Sequence, residues 1–203
     1  MRKLVLASGN PNKLREFARL LAPLALELVP QSAFGVPEAA EPHATFLENA
    51  LAKARHAARL TGLPALADDS GLCVDALGGA PGVNSAYYAG PQKSDADNNE
   101  KLLSALAHVT DPLARTAHYT AVLVLVRSPE DPEPLVAEGR WYGTIAFAPR
   151  GSGGFGYDPL FIDRDSGLTG AEMPLEQKNA VSHRSKALAR LLELLHPRFK
   201  ESG

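Results

Sequence analysis

Apolar runs and polar, glycine-bearing breaks alternate along the chain in a regular strand-and-helix order. Residues 2–7, Arg-Lys-Leu-Val-Leu-Ala, predict a short buried strand. Ser8-Gly9-Asn10-Pro11-Asn12-Lys13 follows as a polar loop, with Pro11 suited to the first turn of a helix. Leu14, Phe17, Ala18 and Leu21 then recur as the stripe of an amphipathic helix. Residues 24–29 predict a second strand, and the proline-rich stretch 30–44 a loop that carries Glu38 and Glu41. Thr45-Phe46-Leu47-Glu48 matches a capping box, opening a helix to about Leu60 that Gly62 and Pro64 end. Ala65-Leu66-Ala67 runs into Asp68-Asp69-Ser70-Gly71, which predicts a buried strand with a charged tip and a Ser-Gly turn. Residues 95–107 predict a plain amphipathic helix. Residues 116–127 predict a strand buried on both faces, and 135–147 its antiparallel hairpin partner across an acidic prolyl loop. Antiparallel strands added to a parallel βα part make the sheet mixed. Ser182 is the expected N-cap of a last helix with the stripe Leu188, Leu191, Leu192 and Leu195.

Bulk properties narrow the picture mainly by exclusion. A chain of 203 residues, 45% hydrophobic and 22% charged, has the ordinary globular mix and suffices for one domain or two closely packed lobes. A net charge of −2 gives no general attraction to nucleic acid or anionic membrane, so any anion site is local. One cysteine, Cys73, rules out an internal disulfide and any CxxC metal knuckle. The first apolar run is too short for a signal peptide and no stretch reaches membrane length, so a cytoplasmic protein is the expectation.

Five stretches carry candidate chemistry. The strand, Gly-loop and helix start around Ser8–Lys13 have the order in which backbone N–H groups meet an anion, although neither a P-loop nor a GxGxxG spacing is present. Asn49 and Lys53 share a helix face that either lines a phosphate site or faces solvent. Asp68 and Asp69 are adjacent like charges that need compensation by solvent or by a divalent cation such as Mg²⁺. Gly151-Ser152-Gly153-Gly154-Phe155-Gly156-Tyr157-Asp158 combines a backbone that can approach a ligand with two flat rings on which a base can stack. His183 and Arg184 fall at the first two positions of the last helix, against its dipole, a local conflict of the kind that marks sites.

Taken in order, these motifs resemble the Ham1/RdgB family of inosine triphosphate pyrophosphatases, also called non-canonical purine NTP pyrophosphatases. The pieces are Ser8-Gly9-Asn10…Lys13, Thr45-Phe46-Leu47-Glu48-Asn49-Ala50, Ala67-Asp68-Asp69-Ser70-Gly71-Leu72, Gly78-Gly79-Ala80-Pro81-Gly82, Gly153-Gly154-Phe155-Gly156-Tyr157-Asp158-Pro159 and Ser182-His183-Arg184. The resemblance implies that residues 1–203 form a single domain of this family. Its fold would be α/β and two-lobed, with a long twisted mixed β-sheet flanked by helices and an active-site cleft between the lobes. It implies hydrolysis of ITP, dITP and XTP to the monophosphate and pyrophosphate, with one or more Mg²⁺ ions. A cytoplasmic homodimer would thereby clear deaminated purines from the nucleotide pool, with neither nucleic acid nor membrane as partner.

By position, the resemblance gives the phosphates to Ser8, Gly9, Asn10, Pro11, Asn12 and Lys13, with charge added by Lys53. It makes Asp69 the metal ligand and proton acceptor, with Asp68 beside it and Glu41 as a further acidic metal ligand. Ser70 would touch substrate, and Phe155, Gly156, Tyr157, Asp158, Lys178, His183 and Arg184 would form the base pocket. Two departures stand out: Tyr87 occupies a place where many relatives carry a basic residue, and Ala40 precedes Glu41 where relatives often carry paired glutamates.

Overall fold

The computed structural model describes residues 2–21 and 26–200, the side chains of Arg2, Leu20 and residues 196–200 excepted. The chain forms two compact units. The first draws on residues 1–69, 122–138 and 187–203, the second on 70–121 and 139–186. Three strands pass from one unit into the other: β3 (Ala65–Val74), β4 (Thr116–Val126) and β5 (Leu135–Ile145). With β1 (Arg2–Leu6), β2 (Leu26–Pro30) and β6 (Phe161–Asp163) they form one six-stranded sheet in the order β2-β1-β3-β4-β5-β6. The β1–β2 and β1–β3 pairs are parallel and the β5–β6 pair is antiparallel, so the sheet is mixed, as expected. Of the predicted strand 24–29, residues 24 and 25 lie outside the described residues, and the remainder is β2.

In the first unit the chain leaves β1, forms helix α1 (Pro11–Leu21), returns as β2 on one side of β1, and then crosses through helix α2 (Phe46–Thr61) to β3 on the other side. Parallel neighbours require such crossovers. The reversal of strand order places a topological switch point between β1 and β3, where the loops at the carboxyl ends of the strands diverge. Helix α2 lies close to the sheet because its inner face is small: Ala50, Ala54, Ala57 and Ala58 are buried with Val5, Ala7, Ala65, Ala67 and Val122. Both of its predicted ends are met. Thr45 Oγ1 accepts from the Glu48 N–H and donates to the Glu48 carboxylate, and Gly62 closes the helix in the left-handed conformation. In α1, Phe17 and Leu21 are buried but Ala18 is exposed, so the apolar stripe is narrower than the spacing suggested.

The second unit is built on a larger aromatic core of Tyr119, Trp141, Tyr157 and Phe161 with Leu72, Leu102 and Leu160. Helix α3 (Asp95–Ala105), helix α4 (Leu175–Val181) and the start of helix α5 (His183–Lys200) belong to it. Ser182 caps α5 as expected, its Oγ accepting from the Ser185 N–H, and Leu188, Leu191 and Leu195 are buried further along. Among the described residues no helix is long and apolar enough to cross a membrane.

Candidate functional site

The acidic pair departs from its expected place. No turn follows it: β3 runs unbroken through Asp68, Asp69, Ser70 and Gly71 to Val74. Both carboxylates are therefore mid-strand and buried, Asp68 at 1% and Asp69 at 4% exposure. Residue type argues for a turn here because solvent normally stabilises such charges, but two lysines supply that stabilisation instead. Leu6 of β1 pairs with Leu66 of β3, so the strand beyond Leu66 runs beside the loop that follows β1. Across that junction Lys13 Nζ meets Asp68 Oδ2 at 2.7 Å. From α2, Lys53 Nζ meets Asp69 Oδ1 at 2.8 Å and Glu41 Oε2 at 3.1 Å.

Burial and pairing compete in this cluster. Burial pushes the Asp69 carboxyl up, and Lys53 only partly opposes it, leaving the group at about 6. Desolvation is also the largest single influence on Glu41 and pushes it up, but Lys53, the Asp69 hydrogen bond and Lys13 together outweigh it, so the group ends below its ordinary value. Desolvation pulls the Lys53 ammonium down, but the Asp69 and Glu41 charges outweigh it, so it stays protonated above its ordinary value. Asp69 is thus poised to bind or release a proton near pH 6, beside a Lys53 ammonium that keeps its charge.

The Ser8–Lys13 loop is less open to an anion than strand-loop-helix order suggested. Asn10 Oδ1 accepts from the N–H groups of Asn12 and Lys13, Ser8 Oγ accepts from the Asn10 N–H, and Pro11 has no N–H to give. An anion arriving there would meet mainly side chains, above all Lys13. At Gly9 a Cβ would lie 2.3 Å from Glu38 Oε1, so the missing side chain lets that carboxylate fold onto the loop.

Asn49 resolves neither as solvent-exposed nor as a phosphate-lining group. It is 1% exposed, and its amide clasps the His43 backbone, Oδ1 accepting from the N–H at 3.0 Å and Nδ2 donating to the carbonyl at 3.2 Å. It thereby fixes the segment that carries Glu41. Asn49→Ala is expected to cost about 1–3 kcal/mol of stability by leaving these buried groups unmade, measured by urea unfolding. A free energy of unfolding equal to that of the native sequence would remove this role.

Among the described residues no three His, Cys, Asp or Glu side chains gather as a metal cage. The donor set nonetheless fits Mg²⁺, which is commonly held by one or two carboxylates and completes its shell from water and substrate phosphates. Asp69 Oδ2 is buried and has no hydrogen-bond partner among the described residues, and Glu41 shares Lys53 with its sister oxygen.

In the second unit, three of the predicted base-pocket residues, Asp158, Lys178 and Arg184, come together around Phe155. The Lys178 ammonium and the Arg184 guanidinium stand 5.4 Å and 5.3 Å from its ring centroid. Arg184 also donates to Ser70 Oγ at 2.9 Å. Asp158 accepts from the Phe155 N–H at 2.8 Å and forms an ion pair with Lys178. Gly154 makes room for that carboxylate, since a Cβ there would sit 2.1 Å from Asp158 Oδ2. Tyr157 offers no stacking face: it is 4% exposed and its hydroxyl donates to the Ser85 carbonyl, which makes it a strut of the core. His183 is buried too, its ring stacked on Tyr119 at 4.7 Å and 8° and parallel to Trp141 beyond, while Trp141 Nε1 donates to Asp163. The adverse dipole position of His183 and Arg184 is thus offset by aromatic stacking and by the reach to Ser70 and Phe155.

Architecture and site together define the class: an α/β protein with a mixed six-stranded sheet and a buried acid–lysine cluster set mid-strand in β3, beside the loop that follows β1. The chain belongs to the Ham1 family, whose model matches residues 4–194. It is 62% identical over 198 residues to the dITP/XTP pyrophosphatase of Ralstonia nicotianae, covering 96% of this chain and 97% of that one. It is 59% identical over 193 residues to the dITP/XTP pyrophosphatase of Aromatoleum aromaticum, covering 95% and 96%. A solved HAM1 protein from Coxiella burnetii superposes with a TM-score of 0.91 at 48% identity, covering 97% of this chain and 100% of that one.

Proposed function

We propose that residues 1–203 act as one catalytic domain that hydrolyses non-canonical purine nucleoside triphosphates (dITP, ITP and XTP) to the monophosphate and pyrophosphate. The reading carries the relatives' printed activity over to a chain that keeps a buried, lysine-paired Asp69 poised at about 6, and that observation supports it most. In this mechanism a water attacks the α-phosphorus and Asp69 takes up its proton. Lys13 and Lys53 offset the charge that develops on the phosphate oxygens and the leaving pyrophosphate. Asp69, Glu41 and Asp68 are the residues that would hold Mg²⁺, which when bound neutralises phosphate oxygens and lowers the pKa of water.

Base choice follows from donors and acceptors. Phe155 offers a ring face, and His183 and Arg184 offer N–H donors. Hypoxanthine and xanthine present a 6-oxo acceptor to such donors, whereas adenine presents its own N6 donor and leaves buried donors unpaired. Ser70, bonded to Arg184, joins the substrate contacts in this reading. The enzyme would work in the cytoplasm as a homodimer, with neither nucleic acid nor membrane as partner, and would keep deaminated purines out of the nucleotide pool.

The test is turnover of dITP, XTP, dGTP and ATP with Mg²⁺ and separate assays for pyrophosphate and orthophosphate. Fast release of pyrophosphate from dITP and XTP alone is expected. Equal rates on ATP would reduce the reading to an unselective nucleotide pyrophosphatase, and orthophosphate as the first product would end it.

A further inference from the structure

We propose that helix α3 holds the Phe155 loop in its base-binding conformation, with Asp95 and Asn99 as positioning residues that grip Gly156 from both sides. The inference rests on the reading of Phe155 as the purine-stacking face.

Asp95 Oδ2 accepts from the Gly156 N–H at 2.7 Å, and Asn99 Nδ2 donates to the Gly156 carbonyl at 2.9 Å. The peptide leading into Gly156 and the one leading out are therefore both tied to the same turn of α3. Its φ is +64°, and a Cβ built there would meet nothing within 4 Å, so Gly156 has no side chain or close neighbour at that point to pack it in place. One residue earlier, the Phe155 N–H is tied to Asp158. The aromatic residue is thus bracketed, by Asp158 from within the loop and by α3 from outside it.

The orientation of the Asn99 amide supports a role beyond packing. Nδ2 also donates to the Asp95 carbonyl at 2.8 Å, so two carbonyl acceptors fix which end is nitrogen. That leaves Oδ1 buried without a hydrogen-bond partner among the described residues. A buried acceptor left unmade is unfavourable, which sets the two bonds made by Nδ2 against a cost at the other end of the same amide. Asp95 in the first turn also suits the helix dipole, which is the competing structural role. The two roles separate chemically: Asn at 95 keeps an acceptor oxygen for Gly156 and loses the charge, whereas Ala loses both.

The experiment compares D95A/N99A, D95N and F155A in steady-state kinetics on dITP, with amide hydrogen exchange of the 151–158 segment. With two hydrogen bonds removed, D95A/N99A is expected to raise KM about tenfold. Its kcat should stay within about twofold, because the loop orders the base and not the reacting phosphorus. The Gly156 amide should exchange faster in D95A/N99A, and D95N should keep both native KM and native exchange. An unchanged KM in D95A/N99A beside a raised KM in F155A would overturn the inference and leave the base-site reading standing. An unchanged KM in F155A would overturn both. D95N failing as badly as D95A/N99A would assign Asp95 to helix charge and likewise overturn it.

Discussion

Asp69→Asn is expected to lower kcat on dITP by about 10³-fold, within the range that a positioned general base contributes. The substitution keeps the shape of the side chain and, through Oδ1, an acceptor for Lys53, so the fold should be retained, as judged by circular dichroism and thermal unfolding. A second signature separates a proton acceptor from a merely structural acid. In protein stripped of divalent ions, one carboxyl should titrate near 6, and it should vanish in the variant. The sign of the metal effect follows. A cation beside the group favours its charged form, so Mg²⁺ should move this titration down and release protons into a solution held near that pH. Near-native turnover in Asp69→Asn would remove Asp69 from the reaction.

Lys53→Ala is expected to have the largest effect on stability. The ammonium lies between Asp69 and Glu41 and is itself 9% exposed. Its removal leaves the buried Asp69 carboxylate without its cation beside the more exposed Glu41, and breaking a buried pair from one side costs about 3–5 kcal/mol. The loss should be smaller at acidic pH, where protonation of Asp69 relieves the repulsion, and Mg²⁺ should restore part of it by supplying the missing charge. Urea unfolding at two pH values, with and without Mg²⁺, reads all three effects. A loss independent of pH and metal would show that Lys53 acts through packing of its stem and not through its charge.

What the sequence revealed divides along a physical line. Features written in adjacent residues were legible: the Thr45–Glu48 cap, Pro11 at the first helical position, Ser182 before α5, and a strand starting at residue 135. The Ham1 likeness rested on such local motifs in order. Features set by partners far along the chain were not. Asp68-Asp69-Ser70-Gly71 looks like a turn because nothing beside it says that Lys13 and Lys53 will neutralise it mid-strand. Asn49 shares a face with Lys53, but its target is the backbone of His43, which only the folded loop brings near. Tyr157 sits in a glycine-rich segment and reads as an available ring, yet its hydroxyl is taken by Ser85, 72 residues earlier. Asp95 and Asn99 lie in a helix whose pattern is ordinary, and their bonds to Gly156 span 61 and 57 residues. Periodicity reports which face of an element is apolar; it carries no record of which loop a polar face will hold.

The most direct test of the central claim, attack of an Asp69-activated water on the α-phosphorus, is turnover of dITP in ¹⁸O-labelled water followed by mass spectrometry of both products. Label in the nucleoside monophosphate, with unlabelled pyrophosphate, is the result this mechanism predicts. Label in pyrophosphate or in orthophosphate would contradict it.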